Sequence, residues 1–195
     1  MRLHKGLVVG VVVLLGLLAM LPIAGQDPWE DQGKELIGKP APDFALKDAA
    51  DKEWKLSDLK GKKVVLLDFG STGCLPCRAT VKDLQQLHVA HKEKPVQIFT
   101  ICVNPVSAEM LKEWIAAMGL TYPVLRDVEF KAAEAYGLQV IPFTVIIDHE
   151  GIVRWVHTGH PDDYKDLVTK QFDELIPKVP TDERKPEEKP KETPQ

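Results

Sequence analysis

Val64-Val65-Leu66-Leu67-Asp68-Phe69-Gly70-Ser71-Thr72-Gly73-Cys74-Leu75-Pro76-Cys77 is the stretch on which the fold turns. Its first six residues are β-branched, aliphatic or aromatic with a single acid among them, the composition of a strand buried on both faces. Gly70-Ser71-Thr72-Gly73 interrupts that run. Beyond Cys77 the apolar Val81, Leu84 and Leu87 recur at helical spacing, which predicts a helix over about Leu75–Lys92. Cys74 therefore falls at a helix N-terminus, where unpaired N–H groups and the macrodipole favour an anion and lower a thiol's pKa. Cys77 lies one turn further, close enough to close a disulfide, and Pro76 can start a helix without losing a needed N–H.

Cys-x-x-Cys alone also fits half of a zinc site. A structural zinc needs two more ligands, and the third and last cysteine, Cys102, stands alone in a strand-like run. His88 and His91 lie on the same predicted helix, but more than two turns from the cysteines, and read as part of a solvated face. A redox dithiol is the stronger reading, with no metal and no cofactor. Cys102 reads as a small apolar packing residue, with a resolving or regulatory thiol as the alternative.

Downstream, Val96–Val103 reads as the next core strand and Ser107–Met118 as an amphipathic helix capped by Ser107. Tyr122–Leu125 reads as a short strand and Val128–Tyr136 as another helix. Phe143–Asp148 and Ile152–His157 form a predicted hairpin, and Tyr164–Ile176 a closing helix. Strands alternating with helices, then a hairpin and a helix, predict an α/β fold whose mixed central sheet has helices on both faces.

Cys74-Leu75-Pro76-Cys77, with Asp68 six residues upstream and Ile141-Pro142 just before a strand, resembles the thioredoxin superfamily. Within it the chain is similar to the TlpA/ResA-type reductases, which are also grouped with AhpC/TSA and redoxin domains. Gly38–Leu46 resembles their opening strand, Leu56–Lys62 the segment before the first core strand, Cys77-Arg78 their usual junction, and Ser107–Tyr136 their helical insertion. The resemblance spans roughly Glu35 to Ile176. It implies a thioredoxin-like fold with an N-terminal extension and a helical insertion. It also implies Cys74 and Cys77 as a redox-active disulfide, Asp68 as a buried proton shuttle, and Pro142 as a cis-proline facing the cysteines. Ile141, just before it, would pair with the extended chain of a substrate.

Departures from the family's pattern bear on partner choice. Gly70 and Gly73 stand where tryptophans flank the family's loop, and Thr80 and Lys82 replace an acid and a proline. The opening segment also resembles peroxiredoxins, whose peroxidatic cysteine follows P-x-x-x-[TS]-x-x; Ser71 fits that pattern, but Leu67 holds the proline position. A copper-binding thiol chaperone is a non-enzymatic alternative, although related copper chaperones carry C-x-x-x-C.

The chain has 195 residues, 44% of them hydrophobic, and a net charge of -4. That suffices for one core and leaves no basic surface, so nucleic acid is not an expected partner. Met1–Lys5 is basic, and Gly6–Gly25 is an uncharged apolar run of twenty residues. Residues 1–25 read as a signal peptide, an N-terminal membrane anchor, or both. Arg2 and Lys5 before the run, with Asp27, Glu30 and Asp31 after it, predict the N-terminus inside and the domain outside. Residues 26–34 read as a linker, 35–176 as the thioredoxin-like domain, and 177–195, rich in Pro, Glu and Lys, as a disordered tail.

The expected function is an extracytoplasmic reductase of protein disulfides, recycled by a membrane electron donor. Leu75-Pro76 brings no cation to the thiolate. The Cys74 pKa is therefore expected near the thioredoxin end of the range, roughly 6 to 8.

Overall fold

The structure, a computed structural model, describes Trp29 and residues 31–178. Seven strands run as β1 (Ala45–Asp48), β2 (Glu53–Lys55), β3 (Val64–Gly70), β4 (Val96–Cys102), β5 (Val124–Arg126), β6 (Phe143–Ile147) and β7 (Val153–Thr158). Between and after them lie helices α1 (Leu75–Ala90), α2 (Ala108–Met118), α3 (Lys131–Ala135) and α4 (Tyr164–Leu175), with short 3-10 turns at Lys34–Leu36, Leu56–Leu59 and Ile176–Lys178. The strands form one mixed sheet in the order β2-β1-β5-β4-β3-β6-β7. β3 is parallel to β4, and β4 to β5, while on the other side of β3 the strand β6 is antiparallel to it and β7 antiparallel to β6.

β3 is buried from end to end because both its faces are covered. Val64 and Leu66 point to a core built with Val81, Leu84 and Leu87 of α1, Leu111 of α2, and Val168 and Phe172 of α4. Val65, Leu67 and Phe69 point the other way, to Phe99, Ile101, Val145, Tyr136 and Ala132 of α3. Alternation along the strand therefore puts Asp68 and Gly70 on the same face as Leu66, beneath α1.

The expected elements are present with shifted ends. The helix expected over Val128–Tyr136 starts only at Lys131, because Phe130 sits in the left-handed region at φ 57°. The buried Asp127 carboxylate reaches over that turn and accepts from the Ala133 N–H at 2.8 Å. Ser107 caps α2 through its hydroxyl, which accepts from the Met110 N–H at 3.2 Å. The short strand β2, which pairs with β1 at the sheet edge, has no counterpart in the sequence-based expectation.

His91 departs from the solvated face expected for it. It is buried at the end of α1, its Nδ1 lies 2.9 Å from the Leu87 carbonyl, and its ring meets Phe172 of α4 edge-on. Helix α4 covers the last turn of α1, a contact that helical spacing alone does not announce. The apolar run Gly6–Gly25 lies outside the described residues, as does all but the start of the C-terminal tail. Among the described residues no helix is long and apolar enough to cross a membrane.

Candidate active site

β3 delivers its last residue, Gly70, to a three-residue loop, and α1 begins at once. Cys74 is the N-cap of α1, with extended backbone, and its Sγ accepts from the Cys77 N–H at 3.2 Å. A thiolate at this atom would use an otherwise orphaned donor of the first turn, with Pro76 filling a position that needs no N–H. Cys74 and Cys77 are joined as a disulfide. Cys74 is half-buried, whereas Cys77 is 1% exposed and Leu75 between them is 73% exposed. The first thiol is thus the one a partner can reach.

Asn104, just after β4, holds the loop. Its side-chain oxygen accepts from the Thr72 N–H at 3.1 Å, and its amide donates to the Thr72 hydroxyl at 3.2 Å. Cys102 is buried, and its thiol donates to the same Asn104 oxygen at 3.1 Å. It borders a small cavity shared with Gly70, Thr72, Cys77 and Trp114. Burial holds its pKa above the usual thiol value, the state of a packed thiol rather than of a nucleophile.

Asp68 lies beneath Cys77. The place where a side chain would begin on Gly70 is 3.5 Å from Cys77 Sγ and 3.9 Å from Asp68 Oδ2, so the absent Cβ leaves a gap bordered by both atoms. Asp68 is 0% exposed, and burial raises its pKa to about 7, against a smaller lowering by the Thr100 hydroxyl. That hydroxyl donates to Oδ2 at 3.2 Å, while Oδ1 has no partner among the described residues. An orphaned carboxylate oxygen is costly when ionised and cheaper when protonated, which is the physical origin of the shift.

Asp68 is flanked in register by Thr100 on β4 and Thr144 on β6. Each threonine hydroxyl meets a buried tyrosine hydroxyl: Thr100 with Tyr122 at 3.1 Å, Thr144 with Tyr164 at 2.8 Å. Sequence reasoning missed these four residues, although a signal existed, since β3, β4 and β6 each carry a polar residue, Asp68, Thr100 and Thr144, flanked directly by apolar ones.

The Ile141–Pro142 peptide is cis and leads directly into β6, whose Phe143 lies opposite Phe69 of β3; Pro142 is buried while Ile141 is half-buried. The carbonyl of Pro142 is tied to the Gly159 N–H at 2.8 Å. A cleft of about 480 Å³, between Phe44, Leu46, Arg126 and Lys131, includes none of these residues. No group of three His, Cys, Asp or Glu side chains among the described residues is arranged to hold a metal ion.

A thioredoxin-like sheet that presents a Cys-x-Pro-Cys disulfide at a helix N-terminus defines a thiol–disulfide oxidoreductase. The chain belongs to the AhpC/TSA family, whose model matches residues 37–156. It is 31% identical over 160 residues to the thiol-disulfide oxidoreductase ResA of Geobacillus thermodenitrificans, an alignment covering 82% of this chain and 91% of that one. Among solved structures it is similar to a thiol:disulfide interchange protein of the thioredoxin family from Chlorobium tepidum (28% identity, TM-score 0.59, 67% of this chain and 94% of that one). It is also similar to the exposed lipoprotein thioredoxin of Streptococcus pneumoniae (31% identity, TM-score 0.58, 69% and 100%).

Proposed function

We propose that the protein reduces disulfides of other proteins outside the cytoplasm, with Cys74 as nucleophile, Cys77 as resolving thiol and Asp68 as proton acceptor. In the reduced form the Cys74 thiolate attacks one sulfur of a substrate disulfide. A mixed disulfide forms, and the other substrate sulfur leaves as a thiolate. Asp68 takes the proton of the Cys77 thiol across the gap at Gly70. The Cys77 thiolate then attacks Cys74 Sγ, the second substrate sulfur leaves, and the Cys74–Cys77 disulfide remains. Two electrons pass to the substrate, and a membrane dithiol donor must return two electrons before the next turnover.

The observation that carries this reading is the buried Asp68 carboxyl, with a pKa of about 7, bordering the same gap as Cys77 Sγ. A base poised near neutrality can both take and return a proton. Leu75-Pro76 itself carries no cation, which supports a reducing potential near that of thioredoxin, about −270 mV. The exposure of Leu75 between the two cysteines suits a macromolecular disulfide, with the backbone of Ile141 pairing with its extended chain beside Pro142.

Export is supported by the basic start and the apolar run Gly6–Gly25, outside the described residues, and by the words "exposed lipoprotein" in the name of the pneumococcal protein. Residues 1–25 then act as signal or anchor and 177–195 as a polar tail, while Gln32 and Gly33, within the expected linker 26–34, pack against the domain 35–176.

Equilibration of the Cys74–Cys77 pair with glutathione tests the direction. A potential below about −200 mV is expected, and one above about −150 mV would make the protein an oxidant of folding chains. The AhpC/TSA match also admits a peroxidase, and consumption of hydrogen peroxide by the reduced protein is the measurement that would replace the reductase reading.

A further inference from the structure

Gln32 is 7% exposed, yet all four hydrogen-bonding positions of its side-chain amide are engaged. Its Oε1 accepts from the N–H groups of Gln139 and Val140 at 2.7 and 2.8 Å. Its Nε2 donates to the Val140 carbonyl at 3.0 Å and approaches the Thr158 hydroxyl of β7 at 3.5 Å. One side chain thereby occupies three backbone polar groups of the two residues that precede Ile141-Pro142. The next residue, Gly33, rests on Phe143, the residue after Pro142. At φ 73°, a Cβ on Gly33 would lie 2.5 Å from Phe143 Cζ. Residues 32 and 33 therefore grip the cis-proline segment on both sides.

Between those grips, the N–H and C=O of Ile141 have no partner among the described residues. We propose that Gln32 is a positioning residue for substrate: it occupies three of the four backbone polar groups at 139 and 140 and holds that segment in place, so that of residues 139–141 only Ile141 presents both a free donor and a free acceptor to an incoming extended polypeptide. The inference rests on the reading of Ile141 as the docking position. Pre-organisation of this kind removes an ordering cost that the substrate's contacts would otherwise have to offset. It acts on binding rather than on the cysteines, because Gln32 touches neither of them.

Single-turnover mixing of the pre-reduced full chain tests this with two disulfides. One is a synthetic peptide pair joined by a cystine within extended sequence. The other is hydroxyethyl disulfide, which has no backbone to dock. Gln32→Met keeps the buried volume and removes every hydrogen bond, and Gln32→Ala removes the volume as well. Both are expected to raise the half-saturating peptide concentration about tenfold, the loss of one to two hydrogen bonds' worth of organisation. The limiting rate and the hydroxyethyl disulfide rate should stay within about twofold, and the amides of Gln139 and Val140 should exchange faster with solvent. Unchanged peptide saturation in Gln32→Met would overturn the proposal, as would an equal loss on both disulfides, which marks a merely structural role. A wild-type chain that reduces hydroxyethyl disulfide but never the peptide pair would instead overturn the reading of Ile141.

Discussion

The two faces of the central sheet are built from the same strands and differ in one respect. The face toward α3 is apolar through the middle of β3, β4 and β6: Val65, Leu67 and Phe69 meet Phe99, Ile101 and Val145. The face toward α1 and α4 carries a polar row, Thr100–Asp68–Thr144, at the level where Cys77 descends, with Tyr122 and Tyr164 closing its two sides. Polar groups in such a place cost free energy unless paired, and Asp68 Oδ1 is not paired among the described residues. One face is organised for stability alone. The other gives up stability to hold a carboxyl near neutral pKa against a thiol.

The widest contrast between the faces comes from Asp68→Asn. Removing the base is expected to slow resolution of the mixed disulfide about a hundredfold, read from release of the substrate's second thiol. The same change should stabilise the fold at alkaline pH. Between the unfolded carboxyl value, 3.8, and the folded value, about 7, the native chain keeps a proton that the unfolded chain has lost. The contribution of Asp68 is therefore full below the first value and is lost as pH rises through the second, by up to about 4 kcal/mol. Urea unfolding should show Asp68→Asn level with wild type near pH 4 and more stable above pH 7. A difference independent of pH would show that ionisation of Asp68 is not what the polar face costs.

On the apolar face, Leu67→Ala is expected to do the opposite. Leu67 is 0% exposed, and its truncation should cost about 3 kcal/mol at every pH. The pH at which resolution is half-maximal should not move. A shifted midpoint would mean that the two faces are coupled.

How much of this could be read in the sequence divides along the same line. The Val64–Phe69 run, the glycine break and the cysteines at a helix start are local patterns, and they locate β3, α1 and the dithiol. Asp68 is legible as well, being one acid in a run that must be buried. Gln32 is not, since its role depends on Gln139 and Val140, more than a hundred residues away. The polar row lies between these cases. A lone threonine is visible in each of β4 and β6, but which residue of β3 it sits beside is set by strand register, and register is decided by packing. The burial of His91 escapes the sequence for a related reason: spacing assigns a residue to a side of its helix, not to the partner that covers that side, here Phe172.

The finest test lies within the row. When Asp68 is ionised, the Thr100 hydroxyl must donate to it, a bond that lowers the carboxyl's pKa. Thr100→Val removes that donor at nearly constant volume. The midpoint of the resolution rate should then rise by roughly 0.7 pH unit, the worth of a hydrogen bond of about 1 kcal/mol. Tyr122 is the control. Its hydroxyl lies 3.1 Å from the Thr100 oxygen and can act on Asp68 only by polarising that bond. Such cooperativity is worth about a fifth of a bond, so Tyr122→Phe should move the midpoint in the same direction by about 0.2 pH unit or less. A Tyr122→Phe shift as large as that of Thr100→Val would show that the tyrosine reaches the carboxyl by another path, and that the threonine is not the link between them.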